Sequence, residues 1–252
     1  MDQIHAVLSG LLDLFYPPRC PGCGRMGSLF CEKCRAQIQF IESPCCRRCG
    51  RPLPQSGLCP GCQGVLSHLD GIMAVAVFAE PLRQAIHSLK YENGVALAAP
   101  LGAIMTEAWH RLDLPAADLI LPVPLHGRRL AERGYNQSAL LAGVLGRGVG
   151  VPVDEHLLSR HRATIPQVGL SQQQRQQNVE NAFACRNGLL DKAVVVVDDV
   201  CTTGATLEAC AQVLRDAGAM SVWGFTLARA RWDADQASEA PGIGFDGYDG
   251  PS

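Results

Sequence analysis

The sequence lacks any strong excess of charge. Its 22 Lys and Arg stand against 24 Asp and Glu, a formal net charge of −2 over 252 residues. A surface basic enough to grip nucleic acid everywhere is therefore not expected. Positive charge is concentrated locally instead: residues 1–65 hold seven Arg and Lys against four Asp and Glu. From Arg229 onward, two basic residues face five acidic ones. That stretch also carries Pro241-Gly242, Gly244 and Gly247, so residues 233–252 are expected to form a disordered acidic tail.

Long apolar runs are missing as well. None reaches the roughly 20 residues that cross a bilayer, so no integral membrane segment is expected. The opening MDQIHAVLSGLLDLFYPP has no basic n-region and sets Asp13 inside its apolar stretch, which argues against an export signal and for a cytoplasmic chain. Ile4, Val7, Leu8, Leu11, Leu12 and Phe15 recur at helical spacing until Pro17-Pro18. Residues 1–17 therefore read as an amphipathic helix packed on the body of the protein. Its polar face has no Lys or Arg, which disfavours a membrane-surface role.

Cysteine, by contrast, is plentiful. Nine of the 12 cysteines lie between residues 20 and 62, eight of them in four C-x-x-C pairs, Cys20 and Cys23, Cys31 and Cys34, Cys46 and Cys49, Cys59 and Cys62, with Cys45 left over. Two close cysteines on a tight turn present both sulfurs to one cation, and two such turns complete a tetrahedral thiolate site. A disulfide framework is disfavoured in a cytosolic chain. The simplest pairing places Cys20, Cys23, Cys31 and Cys34 on one zinc and Cys46, Cys49, Cys59 and Cys62 on a second; the spacing also allows a crossed pairing, and Cys45 could replace Cys46. Sites filled by four protein sulfurs leave no position for water, so these zincs are structural. So short a segment has little apolar core, and the metal is expected to supply most of its folding free energy.

Beyond residue 65 the pattern changes to strands alternating with helices. GIMAVAVFA (71–79), DLILPVP (118–124), AVVVVDD (193–199) and SVWGFTLA (221–228) are short and apolar on both faces. Between them lie the helical stretches PLRQAIHSLKY, ALAAPLGAIMTEAWHRL, NQSALLAGVLG and ATLEACAQVLRDAG. This alternation implies an α/β domain over residues 66–232, a parallel sheet flanked by helices, preceded by the cysteine module at 18–65. In such sheets ligands meet the carboxyl ends of the strands.

The stretch VVVVDDVCTTGATL sits at such an end. A buried strand delivers Asp198 and Asp199, and Cys201, Thr202, Thr203, Gly204, Ala205 and Thr206 lead into a helix. Free N–H groups at a helix start attract an anion, Gly204 lets the backbone approach closely, and three hydroxyls add donors. The loop is suited to phosphate. Adjacent carboxylates repel a bare phosphate, so they must face hydroxyls or a divalent cation. A sugar phosphate accompanied by magnesium satisfies both halves.

VVVVDDVCTTGAT closely resembles the phosphoribosyl pyrophosphate motif of type I phosphoribosyltransferases. That resemblance implies Asp198 and Asp199 on the ribose, and Thr202, Thr203, Gly204, Ala205 and Thr206, with Cys201 at the loop's start, on the 5-phosphate. LPVPLHGRRLAERGYNQS, from Leu121, ATIPQVGLSQQQRQQNVENAF, from Ala163, the LKY of Leu89 to Tyr91 and the cysteine module together resemble the ComF family. By that parallel the Val123–Arg129 segment is the pyrophosphate loop, with Arg128 and Arg129 neutralising the leaving group. The Gln167–Asn178 segment is a closing loop whose Arg175 contacts phosphate. His126 is suitably placed for proton transfer, although a lone His is more often a scaffold residue. The resemblance further implies zinc and magnesium, phosphoribosyl pyrophosphate as ligand, and a link to single-stranded DNA and DNA-uptake proteins, in transformation or in the use of DNA as nutrient. Two readings stay open: a phosphoribosyltransferase of unidentified acceptor, and a non-catalytic module that senses the ligand or binds single-stranded DNA. For the second, Arg19, Arg25, Lys33, Arg35, Arg47, Arg48 and Arg51 supply charge, with Phe15, Tyr16, Phe30 and Phe40 nearby for stacking.

Overall fold

The computed structural model describes residues 17–112, 114–162, 181–186 and 188–230. All but Pro17 of the expected amino-terminal helix, the expected closing loop with Arg175, and the expected acidic tail lie outside the described residues.

The chain order is α1 (Glu32–Ala36), β1 (Gly71–Val77), α2 (Leu82–Tyr91), α3 (Ala98–Arg111), β2 (Leu119–Pro122), α4 (Gly127–Arg133) and α5 (Gln137–Val149). There follow β3 (Leu158–Arg160), β4 (Phe183–Cys185), β5 (Ala193–Cys201), α6 (Ala205–Asp216) and β6 (Ser221–Arg229). Strands β1, β6, β5 and β2 form one sheet in that order, all parallel. The short β3 and β4 pair antiparallel in a second sheet, which the sequence pattern does not announce.

The four valines of β5 show how the core is divided. Side chains alternate across a strand. Val195 and Val197 join Leu89, Leu101, Met105 and Leu145 on one face, whereas Val194 and Val196 join Phe183, Leu207 and Leu214 on the other. Both faces are covered, which is why the strand reads as an unbroken apolar run. The buried Leu82, Ala85, Ile86 and Leu89 give α2 a one-sided stripe at helical spacing.

The lateral edges of the sheet are covered too. Beyond β2, the Ile120 N–H donates to Pro152 O at 2.9 Å and Ile120 O accepts from the Asp154 N–H at 3.1 Å. Beyond β1 lies the cysteine module: the Ile41 N–H donates to Val75 O at 3.0 Å, the Val77 N–H to Gln39 O at 2.8 Å, and the Ile72 N–H to Arg48 O at 2.9 Å. An unpaired strand edge is an aggregation template, and these contacts blunt it. The module also shares apolar packing with the sheet domain, since Phe30, Cys34 and Ile38 lie in one cluster with Val75, Ala76 and Leu82. The expectation of a nearly coreless segment is corrected here: its apolar residues complete a core built mostly by the rest of the chain.

Gly50 is one point of close approach between the cysteine module and β1. It has φ +71°, and a Cβ there would stand 2.5 Å from Ile72 O. Gly50→Ala is expected to cost about 1–2 kcal/mol from the left-handed backbone alone, read as a lower urea midpoint with faster amide exchange at Ile72. Unchanged exchange at Ile72 would show that the edge pairing does not depend on this approach.

Candidate functional site

Two cysteine clusters and one pair of adjacent carboxylates hold the chemistry. Cys20, Cys23, Cys31 and Cys34 gather in one group and Cys46, Cys49, Cys59 and Cys62 in another, with the ligand atoms of each within 4.8 Å of one another. The two are built alike. The Gly24 N–H donates to Cys20 O at 2.7 Å and the Gly50 N–H to Cys46 O at 2.9 Å, closing matching knuckles with left-handed glycines. The Cys31 N–H then reaches Cys20 Sγ at 3.5 Å and the Cys59 N–H reaches Cys46 Sγ at 3.3 Å. Thiol acidity is already raised in each: the Cys34 backbone N–H leads in lowering Cys31 to about 7, and the Cys62 thiol leads in lowering Cys49 to about 4. Burial pushes the Cys34 and Cys59 thiols up, and the hydrogen bond to Cys49 pushes Cys62 up, so each cluster leads with one thiolate and a bound zinc would supply the charge that holds all four sulfurs deprotonated. The pairing is the sequential one, and Cys45 stands outside it, its Sγ donating to Glu42 O at 3.1 Å.

At the far end of β5, Asp198 and Asp199 are held by different partners. Asp199 is buried, and Lys90 Nζ lies 2.6 Å from its Oδ2. Asp198 Oδ1 accepts from Ser138 Oγ at 2.8 Å and from the Asp199 N–H at 2.9 Å. Burial, then the neighbouring Asp199 charge, pushes the Asp198 carboxyl up to about 7, against the smaller pull of Lys90 and Ser138. Burial opposes the charge on Lys90, but Asp199 outweighs it and holds the ammonium above its usual range.

The connection into α6 is short. Gly204 takes φ +86°, and Thr203 Oγ1 accepts from the Ala205 N–H at 3.3 Å. Thr202, Thr203, Gly204, Ala205 and Thr206 are all partly exposed, and the first N–H groups of α6 have no partner within the helix. Cys201 differs: it is buried, and its Sγ accepts from Arg229 Nη1 at 2.9 Å. It is the last residue of β5, its carbonyl accepting from the Ala230 N–H at 2.9 Å, so neither its side chain nor its backbone belongs to the loop.

The arginines separate. Arg128 is exposed and paired with Glu132 at 2.8 Å. Arg129 lines an open cavity of about 650 Å³ together with Lys90, Tyr91, Arg133 and Tyr135. His126 caps α4, its Nδ1 accepting from the Arg128 N–H at 3.3 Å. Lys90 and Ser138 are assigned no role by their sequence context. The signals were the LKY at the end of an amphipathic helix and a serine just past the Asn136 cap, whose Nδ2 donates to Val123 O at 3.0 Å. Arg160 carries no signal at all in its three-residue strand. Burial and then Arg129 lower its guanidinium, while Asp198 works the other way, so it stands within reach of both charges.

The double zinc ribbon domain family matches residues 11–63 and the phosphoribosyl transferase domain family matches residues 132–239. Competence protein F of Haemophilus influenzae is 34% identical over 86% of this chain and 99% of its own. DNA utilization protein YhgH of Escherichia coli K12 is 37% identical over 79% of this chain and 89% of its own, and competence protein ComFC of Bacillus subtilis is 25% identical over 79% and 84%. The chain belongs to the ComF family, a phosphoribosyltransferase-type sheet domain with an amino-terminal double zinc ribbon.

Metal content tests the clusters. Cys46→Ser is expected to reduce two zincs per chain to one, as measured by plasma mass spectrometry, while Cys45→Ser keeps both. Equal loss in the two variants would mean that Cys45 is a ligand after all.

Proposed function

We propose that this ComF-family chain binds phosphoribosyl pyrophosphate with magnesium at the carboxyl end of β5, as a phosphoribosyltransferase linked to DNA uptake or to the use of DNA as nutrient. The observation that carries this reading is the Asp198–Asp199 pair, with Asp199 buried and Asp198 half-buried, at the end of β5 just before the Thr202–Thr206 loop at the start of α6. The loop's N–H groups and hydroxyls suit a 5-phosphate. The carboxylates suit ribose hydroxyls and a hard cation, and the Lys90 ammonium beside them already marks a cation position. Magnesium, when bound there, would neutralise diphosphate charge. Arg129 lines the cavity and a guanidinium can hold a diphosphate through two oxygens at once, which supports it over the exposed, Glu132-paired Arg128 as the leaving-group contact. Arg175 is assigned to the closing loop by the resemblance alone. Twelve free thiols, eight of them in metal-type clusters, support a cytoplasmic setting.

A second reading, a module that binds single-stranded DNA, draws support from the names of the relatives and from exposed Arg19, Arg25, Lys33 and Arg47. Its stacking surface is weaker than the sequence implies. Phe30 is buried, and Arg111 lies 5.0 Å over the Phe40 ring. Such binding would rest on phosphate contacts and fall steeply with salt.

Two measurements test the site. Calorimetric titration of phosphoribosyl pyrophosphate with magnesium is expected to show binding by the wild type and none by Asp198→Asn/Asp199→Asn, with zinc content unchanged; equal binding by both proteins would remove the acid pair from the site. The affinity of the wild type is expected to rise as pH increases through about 7, where Asp198 ionises, by up to about tenfold per pH unit below that value. Stability of the unliganded protein runs the other way. Because the folded-state value is raised, the contribution of Asp198 is complete below the ordinary carboxylate value of 3.8 and is lost as pH rises through about 7. A flat affinity profile would mean that Asp198 is not recruited as a carboxylate.

A further inference from the structure

We propose that Lys90 is an exchangeable counter-ion: it keeps a divalent cation off the acid pair while the site is empty, and turns to the diphosphate when cation and sugar phosphate enter together. The diphosphate half of this proposal rests on the reading given under Proposed function; the cation half stands on the geometry alone.

The argument begins with the cost of the acid pair. The Asp199 side chain is 3% exposed, and a carboxylate so placed must be compensated. Lys90 Nζ, at 2.6 Å, supplies that compensation in the empty protein. A divalent cation drawn to the same oxygen would meet an ammonium already in place, and like charges at that distance repel strongly in a buried site. The cation can take Asp199 only if Lys90 leaves.

The surroundings of Lys90 fit a side chain that moves on a fixed backbone. Lys90 lies in the last turn of α2, and the residue on either side is tied down. Leu89 is fully buried and its carbonyl accepts from Tyr135 Oη at 2.6 Å, while the Tyr91 ring lies 5.2 Å below the Arg133 guanidinium. The Lys90 side chain itself is 22% exposed and lines the same cavity as Arg129 and Arg133. The ammonium thus stands at the wall between the carboxylates and a cavity lined by two further cations. Glu132 of the same lining is paired with Arg128, so the three cations around the cavity suit an anion with more than one charge, and a diphosphate supplies it. Rotation about the four-carbon stem carries the ammonium from one partner to the other without moving the helix. Lys90 therefore acts twice: as the cation of the empty site and as a diphosphate contact in the filled one.

Zinc-loaded wild type, Lys90→Met, Lys90→Gln and Lys90→Arg would be titrated with Mn²⁺ alone, followed by electron paramagnetic resonance, and then with phosphoribosyl pyrophosphate and magnesium by calorimetry. Circular dichroism and zinc content establish that each variant is folded. Without ligand, the Met and Gln variants are expected to bind Mn²⁺ about tenfold or more tightly than wild type, and Lys90→Arg to resemble wild type. With magnesium, the Met and Gln variants should bind phosphoribosyl pyrophosphate about tenfold or more weakly. Equal Mn²⁺ affinity in wild type and both uncharged variants overturns the proposal, as does undiminished ligand affinity in a variant whose Mn²⁺ binding has tightened. A wild type that binds no phosphoribosyl pyrophosphate at any magnesium concentration sinks the functional reading and with it the diphosphate contact. The Mn²⁺ comparison then decides the role of Lys90 as resident cation.

Discussion

Two consecutive carboxylates at the end of a strand covered on both faces are an expensive arrangement, and the architecture around the site answers to it. Isolated, either charge would favour its protonated form, and together they repel. The fold gives each a different compensation: an ammonium for Asp199, and a serine hydroxyl with a backbone N–H for Asp198. Asp198 nonetheless remains a carboxyl that titrates near neutrality. An acid pair stabilised this incompletely is poised for a cation, since ligand binding can complete what the protein leaves unfinished.

Sheet topology brings those compensating groups together. Strand β1 lies at one edge of the sheet and β2 at the other, so α2 and α3, which connect them, must cross the face of the two middle strands. The crossing explains why α2 residues share a cluster with Val195 and Val197 of β5, and why the last turn of α2 ends at Asp199. Ser138 arrives on the same face from the start of α5, after the cap at Asn136 has tied that helix to the segment following β2. Neither approach is local in the sequence.

That distinction marks what could be read in advance. The four parallel strands were legible because burial on both faces writes a continuous apolar run, and the thiolate clusters because paired spacing has few other uses. Lys90 was not, because a lysine at the end of an amphipathic helix has the same local pattern whether it meets solvent or, as here, the carboxylate of Asp199 far along the chain. The β3–β4 pair, three residues on each side, is too short to show a period. His126 and Arg128 illustrate the converse error of proximity in sequence. Both stand in a suggestive cluster, but one caps a helix and the other pairs with Glu132 on its exposed face.

The zinc ribbons, written in the sequence as a separate module, are bound into the same construction. Their backbone covers the free edge of β1, and their apolar residues fill its core. Arg229 closes the link. It is buried at the end of β6, donates to Cys201 at the base of the phosphate-type loop, and is held charged against its own burial by Cys201 and then by Cys49 and Cys62 of the second cluster. A four-thiolate zinc site carries net negative charge, and a buried guanidinium beside it offsets that charge where water cannot. The second ribbon and the strand end that leads into the loop therefore share one counter-ion. Severing the ribbons would expose a sheet edge and deprive that buried charge of Cys49 and Cys62, so the metal clusters support the acid pair and its loop from behind.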